Sequence, residues 1–140
     1  MKILIAADGS AYTKRLIAYF AAHDEWLGRH HEYTVIHSVL AVPHRAAAFV
    51  GMETVRKFYE EDAEAVFAPI RAFFAQQKIE AVFVHTIGNA AGSISTLAEE
   101  GRFDLVAMGC RGHGELANLV LGSVATKVLA QCKVPVLLVR

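Results

Sequence analysis

Two short glycine-bearing segments near the C-terminus carry the residues best suited to chemistry. Gly109-Cys110-Arg111-Gly112-His113-Gly114 directly follows an apolar run, and Gly122-Ser123 comes nine intervening residues after Gly112. Together they spell Gly109-x2-Gly112-x9-Gly122-Ser123. The chemistry this pattern suits is anion binding. Glycines at 109 and 112 leave main-chain N–H groups open to a phosphate and tolerate the backbone angles such loops need. Gly122-Ser123 stands where a last helix would begin, and a helix start offers unpaired N–H groups and the positive end of its dipole. The Ser123 hydroxyl could donate to a phosphate oxygen as well. Spacing alone leaves a plainer reading open, in which the glycines shape a tight turn and Ser123 is only a helix cap.

Other candidates divide the same way. Asp8-Gly9-Ser10 is ordinary turn chemistry, or a carboxylate at the mouth of the crevice that holds Gly109. Arg111 and His113 flank Gly112 and either reach a phosphate or sit in solvent. His23, His30, His31, His37, His44 and His85 show no metal-ligand spacing, and His30-His31 is expected in an exposed turn. Glu60-Glu61-Asp62 with Glu64 reads as the wet face of a helix. No GxxxxGK[ST] loop, Ser-His-Asp arrangement or zinc signature is present.

The elements that must position these residues follow from apolar patterning. Five short apolar runs, at 2–7, 33–40, 81–87, 104–109 and 134–139, are near-continuous, as in strands covered on both faces. Helical patterns fill the gaps: 11–27 with Ser10 as a candidate cap, 52–77, 91–100 with Ser93 as a candidate cap, and 123–131. Pro69 is expected to kink or split the second helix, because proline removes an intrahelical hydrogen bond. Residues 41–50 read as the longest irregular connection. The resulting β-α-β-α-β-α-β-α-β order predicts an α/β fold, an open five-stranded parallel sheet with helices on both faces. Ligands of such sheets bind beyond the C-terminal strand ends, where strand order reverses. That points to the loops at 8–10, 41–50, 88–92 and 109–117.

Composition narrows the class. The 140 residues predict one domain, 1–140, and 54% are apolar types. Fourteen basic residues balance fourteen acidic ones, which argues against a nucleic-acid or anionic-membrane surface. Two cysteines, 110 and 132, imply no disulfide framework, so a reducing, cytoplasmic setting is expected. No apolar stretch is long enough for a membrane span or a signal sequence.

The glycine pattern resembles that of the ATP-binding branch of the universal stress protein family, G-2x-G-9x-G-[ST]. The similarity extends to the strand ending in Asp8-Gly9-Ser10, to Asp104-Leu-Val-Ala-Met-Gly, to Val120-Leu-Gly-Ser-Val and to the terminal Val134-Pro-Val-Leu-Leu-Val-Arg140. The resemblance implies the adenine-nucleotide-hydrolase-like strand order 3-2-1-4-5. It implies that Asp8 sits near the ribose or adenine with Ala6 and Ala7 beside it. Ser38 and Val39 would lie against the base, and Met108 and Gly109 would close its pocket. Gly112, Gly122, Ser123, Val124 and Ala125 would cradle the phosphates of ATP, with AMP or ADP as alternatives. A Mg or Mn ion would be held by the triphosphate rather than by protein ligands. A homodimer pairing through residues 134–140 is also implied, which would protect an exposed apolar edge.

Two positions depart from the family pattern. Ser38 replaces a usual aliphatic residue, and its hydroxyl either weakens packing on the adenine or adds a hydrogen bond. Cys110 stands where Ser or Thr is frequent, and is either a reactive thiol or a small buried hydrophobe. The resulting expectation is a stress-response regulatory protein that acts through ATP-dependent conformation or association, with no catalytic residue assigned. Alternatives are a slow ATPase or phosphate-transferring enzyme, with Asp8 on metal and Arg111 or His113 near the γ-phosphate, and a nucleotide-free dimeric interaction module with an unknown protein partner.

Overall fold

The computed structural model describes residues 1–114 and 118–140. Five parallel strands are laid out in the order β3-β2-β1-β4-β5: β1 (Lys2–Ala6), β2 (Glu32–Val39), β3 (Ala81–Ile87), β4 (Leu105–Gly109) and β5 (Val136–Val139). The helices between them are α1 (Ala11–Ala22), α2 (His44–Val50), α3 (Met52–Gln76), α4 (Ala90–Glu100) and α5 (Ser123–Gln131). This is the expected α/β architecture and strand order. Among the described residues no helix is long and apolar enough to cross a membrane.

Alternation along β1 shows how the sheet builds two cores. Ile3 and Ile5 face one layer with Leu16 and Phe20 of α1 and Phe67, Ile70 and Phe74 of α3. Leu4, between them, faces the other layer with Ala91, Ile94 and Ala98 of α4 and Val128 of α5. All three β1 residues are fully buried. A strand sealed on both sides needs apolar residues at every position, which is why the run reads as continuous. Each large side chain so buried contributes about 1.5–3 kcal/mol.

Several local expectations change. The first helix stops at Ala22 rather than running to residue 27. Trp26 and Leu27 instead pack against the core from a turn that Tyr33 secures, its hydroxyl donating to the Trp26 carbonyl and accepting from Gly28 N–H. Residues 41–50 are not wholly irregular, since His44–Val50 forms α2, although none of its residues is buried. Pro69 does not split α3, which is assigned as one 25-residue helix with Pro69 inside. Its apolar face, Ala63, Phe67, Ile70 and Phe74, is buried along that length, and this packing outweighs one missing helical bond. The α4 cap is Asn89, whose side chain accepts from Gly92 N–H, and not Ser93. Ser10 occupies the α1 cap position without a side-chain cap bond. His30 and His31 lie in the expected turn.

Candidate functional site

The strand order reverses between β1 and β4, and the loops leaving these neighbouring strands run in opposite directions to open a crevice. Ala6 of β1 is paired with Met108 of β4, so Asp8 and the glycine loop leave the sheet side by side. A cleft of about 1070 Å³ lies there. All twelve residues singled out in the sequence line it: Ala6, Ala7, Asp8, Ser38, Val39, Met108, Gly109, Gly112, Gly122, Ser123, Val124 and Ala125. The volume sits at the upper end of small-molecule sites. The loop expected at 109–117 ends on residues 115–117, which lie outside the described residues.

The glycine loop and the start of α5 are joined directly. Gly122 N–H donates to the Cys110 carbonyl at 2.8 Å, and Cys110 N–H donates to Val139 of β5 at 2.9 Å. A β-carbon placed on Gly122 would stand 3.7 Å from the Gly112 nitrogen. The first-turn N–H groups of Ser123, Val124 and Ala125 have no carbonyl one turn back to bond, and these residues line the same cleft. Main-chain donors from two segments therefore meet at one place.

Gly109 and Gly112 also have a packing reason of their own. A β-carbon at Gly109 would fall 2.5 Å from that of Tyr12, and one at Gly112 would collide with Asp8 Oδ2. The glycine spacing is thus required by close approach inside the protein. What adds an anion-binding capacity is the α5 start beside it.

Asp8 is held rather than loose. Its Oδ1 accepts from Ser10 N–H and from the Thr13 hydroxyl, both at 2.9 Å. Its own N–H donates to Thr13 Oγ1 at 3.0 Å, and its carbonyl accepts from His113 Nε2–H at 2.7 Å. His113 therefore ties the glycine loop to the β1 turn, a role the plain loop reading missed. Arg111 places its guanidinium 5.3 Å over the Tyr12 ring. A carboxylate fixed this way can accept hydrogen bonds from ligand hydroxyls. Among the described residues no group of three metal-ligating side chains occurs.

Ser38 resolves one open question. Its hydroxyl donates to the Gly88 carbonyl at the end of β3, so it closes a local bond between neighbouring strands. Cys110 is buried, 3% exposed, and packs as a small apolar side chain. Asp62, read as part of a wet helix face, instead lines the cleft, with Oδ2 3.3 Å from His37 Nε2. His37 and Asp62 were missed because their partners lie on other elements, and only the placement of β1, β2 and α3 brings them to the site. Thr13, five residues from Asp8, is a local turn contact whose signal lay in the sequence.

The fold and the crevice define a doubly wound parallel α/β protein with a cleft at the strand-order reversal. A model described as the universal stress protein family matches residues 1–140, and the chain belongs to that family. It is similar to a universal stress protein of Thermus aquaticus described as lying in the QAH/OAS sulfhydrylase 3' region. The two are 34% identical over 138 residues, covering 99% of this chain and 97% of the relative. Matches to three longer stress-protein relatives cover 42%, 49% and 56% of their lengths. In structure it is similar to a universal stress protein family protein from Arabidopsis thaliana with AMP bound. There the TM-score is 0.69 and identity 12%, with 99% of this chain and 90% of that one covered. It is also similar to a universal stress protein in complex with cAMP, with TM-score 0.63, 18% identity, and coverage of 100% and 97%. These two likenesses concern the fold.

Proposed function

We propose that this protein binds an adenine nucleotide, ATP with its Mg or Mn ion, in the crevice between β1 and β4. It would act as a one-domain cytoplasmic regulator whose conformation or association follows occupancy. The observation that carries the reading is the meeting of Gly112 and the α5 start on one cleft, with the Asp8 carboxylate fixed at its edge. In this reading Ala6, Ala7, Ser38, Val39 and Met108 surround the base. Asp8 takes ribose hydroxyls, and the N–H groups around Gly112 and at Gly122, Ser123, Val124 and Ala125 receive the phosphates. The Ser38 hydroxyl, already committed to Gly88, contributes its β-carbon rather than a donor. The AMP and cAMP held by two relatives of the same fold support the choice of nucleotide class.

A homodimer through β5 belongs to the same proposal. Val106 N–H donates to the Pro135 carbonyl and Cys110 N–H to that of Val139. Alternation then leaves the main-chain groups of Val136 and Leu138 on the open side of the edge strand. Isothermal titration of nucleotide-free protein with ATP-Mg tests the binding claim. Saturable heat is expected from the wild type and none from Gly122→Asp, which sets a negative charge at the helix start. No binding by the wild type at millimolar ATP overturns it.

A further inference from the structure

We propose that His37 is a positioning residue. By donating from Nδ1–H to the Ala7 carbonyl, it sets the turn that presents Asp8 to the cleft. His37 is 7% exposed on β2, with Nδ1 2.9 Å from the Ala7 oxygen and Nε2 3.3 Å from Asp62 Oδ2. A carbonyl accepts and never donates, so Nδ1 carries a proton in this arrangement. The ring meets Phe67 edge-on, at 6.2 Å and 85°. Packing on one side and Asp62 on the far nitrogen together fix its plane.

The consequence falls on Ala7, the first residue past β1. Its N–H donates to the Ile36 carbonyl at 2.9 Å, and its carbonyl accepts from the neighbouring His37, so β2 grips both ends of one residue. Ala7 is buried. Its carbonyl would be costly to leave without a donor. The next residue is Asp8, whose carboxylate must lie beside Gly112 while held by Ser10 and Thr13. His37 thus connects α3, through Asp62, to the position of a carboxylate that it does not itself touch.

Asparagine and glutamine separate the two ring nitrogens, since the Asn amide can replace the Nδ1 donor and the Gln amide the Nε2 donor. In the ligand-free protein, His37→Asn should leave the amide NMR signals of Asp8 and Gly112 in place, and His37→Gln should shift both. ATP affinity, which rests on the nucleotide reading above, should stay within about twofold in His37→Asn. In His37→Gln it should fall about tenfold, the factor for re-ordering one freed residue on binding. Imidazole nitrogen NMR of the wild type should find Nδ1 protonated, a readout that needs no variant to fold. An unprotonated Nδ1, or equal Asp8 shifts in the two variants, overturns the positioning role. Loss of ATP binding in the wild type with the amide pattern intact would instead remove the nucleotide reading and leave His37 in this role.

Discussion

Replacing Gly112 with alanine should destabilise the wild type and yet do no harm once Asp8 is gone. Among the described residues the added β-carbon meets only Asp8, colliding with Oδ2 and lying 3.7 Å from the carboxyl carbon, so truncating Asp8 to its own β-carbon clears the space. To make room the carboxylate must leave Ser10 N–H and the Thr13 hydroxyl, two bonds of 2.9 Å each. At about 1–1.5 kcal/mol per bond for a half-buried group, that costs about 2–3 kcal/mol. Gly112 is not among the glycines with positive φ, so alanine also restricts the unfolded chain and returns about 0.4–1 kcal/mol. The net expectation for Gly112→Ala alone is a loss of about 2 kcal/mol. In the Asp8→Ala background the same change should stabilise by about 0.5 kcal/mol. Urea denaturation of the four proteins at constant m-value reads the coupling directly. An equal loss in both backgrounds would refute the claim that the glycine is demanded by the carboxylate.

Three further outcomes are expected. Burial raises the Tyr33 hydroxyl above its ordinary value of 10.0, with the Gly28 bond partly offsetting it. The fold holds that proton more tightly, so the contribution is complete below pH 10 and fades as pH climbs through the raised value. Tyr33→Phe should flatten this part of the alkaline stability profile, measured as urea midpoints on both sides of that pH. A thiol reagent should label half-exposed Cys132 in the native protein and reach buried Cys110 only as urea unfolds it, checked by mass spectrometry. Val136→Pro removes an N–H from the open side of β5 while sparing the bonds to β4, and sedimentation should show the monomer if that edge forms the dimer.

How much was legible follows from how local each signal is. The strands show in the sequence because burial on both faces demands apolar residues throughout, as at Ile3, Leu4 and Ile5. Gly112 and Asp8 stand out separately, but their collision distance depends on β4 lying next to β1, which no local pattern specifies. Asp62 illustrates the limit most directly. Its neighbours Glu60, Glu61 and Glu64 describe a solvated helix face, and only the packing of α3 over the end of β2 turns Asp62 toward His37. The α1 end was missed for a similar reason. Leu27 keeps helical spacing, while the bond from Tyr33 to Trp26 favours a turn there.

The pairing of β1 with β4 also governs when the crevice can exist. Lys2 N–H bonds the Asp104 carboxylate across 102 residues where the two strands begin, and both walls of the cleft depend on the strand pairing that runs from there to Ala6 and Met108. Closing so long a loop is an entropic cost met before its contacts form. During synthesis, β1 must therefore wait until Leu105–Gly109 has left the ribosome. Until then β1 has β2 beside it and an uncovered edge on its other side, so a chain stalled short of β4 is both empty of any site and open to mispairing.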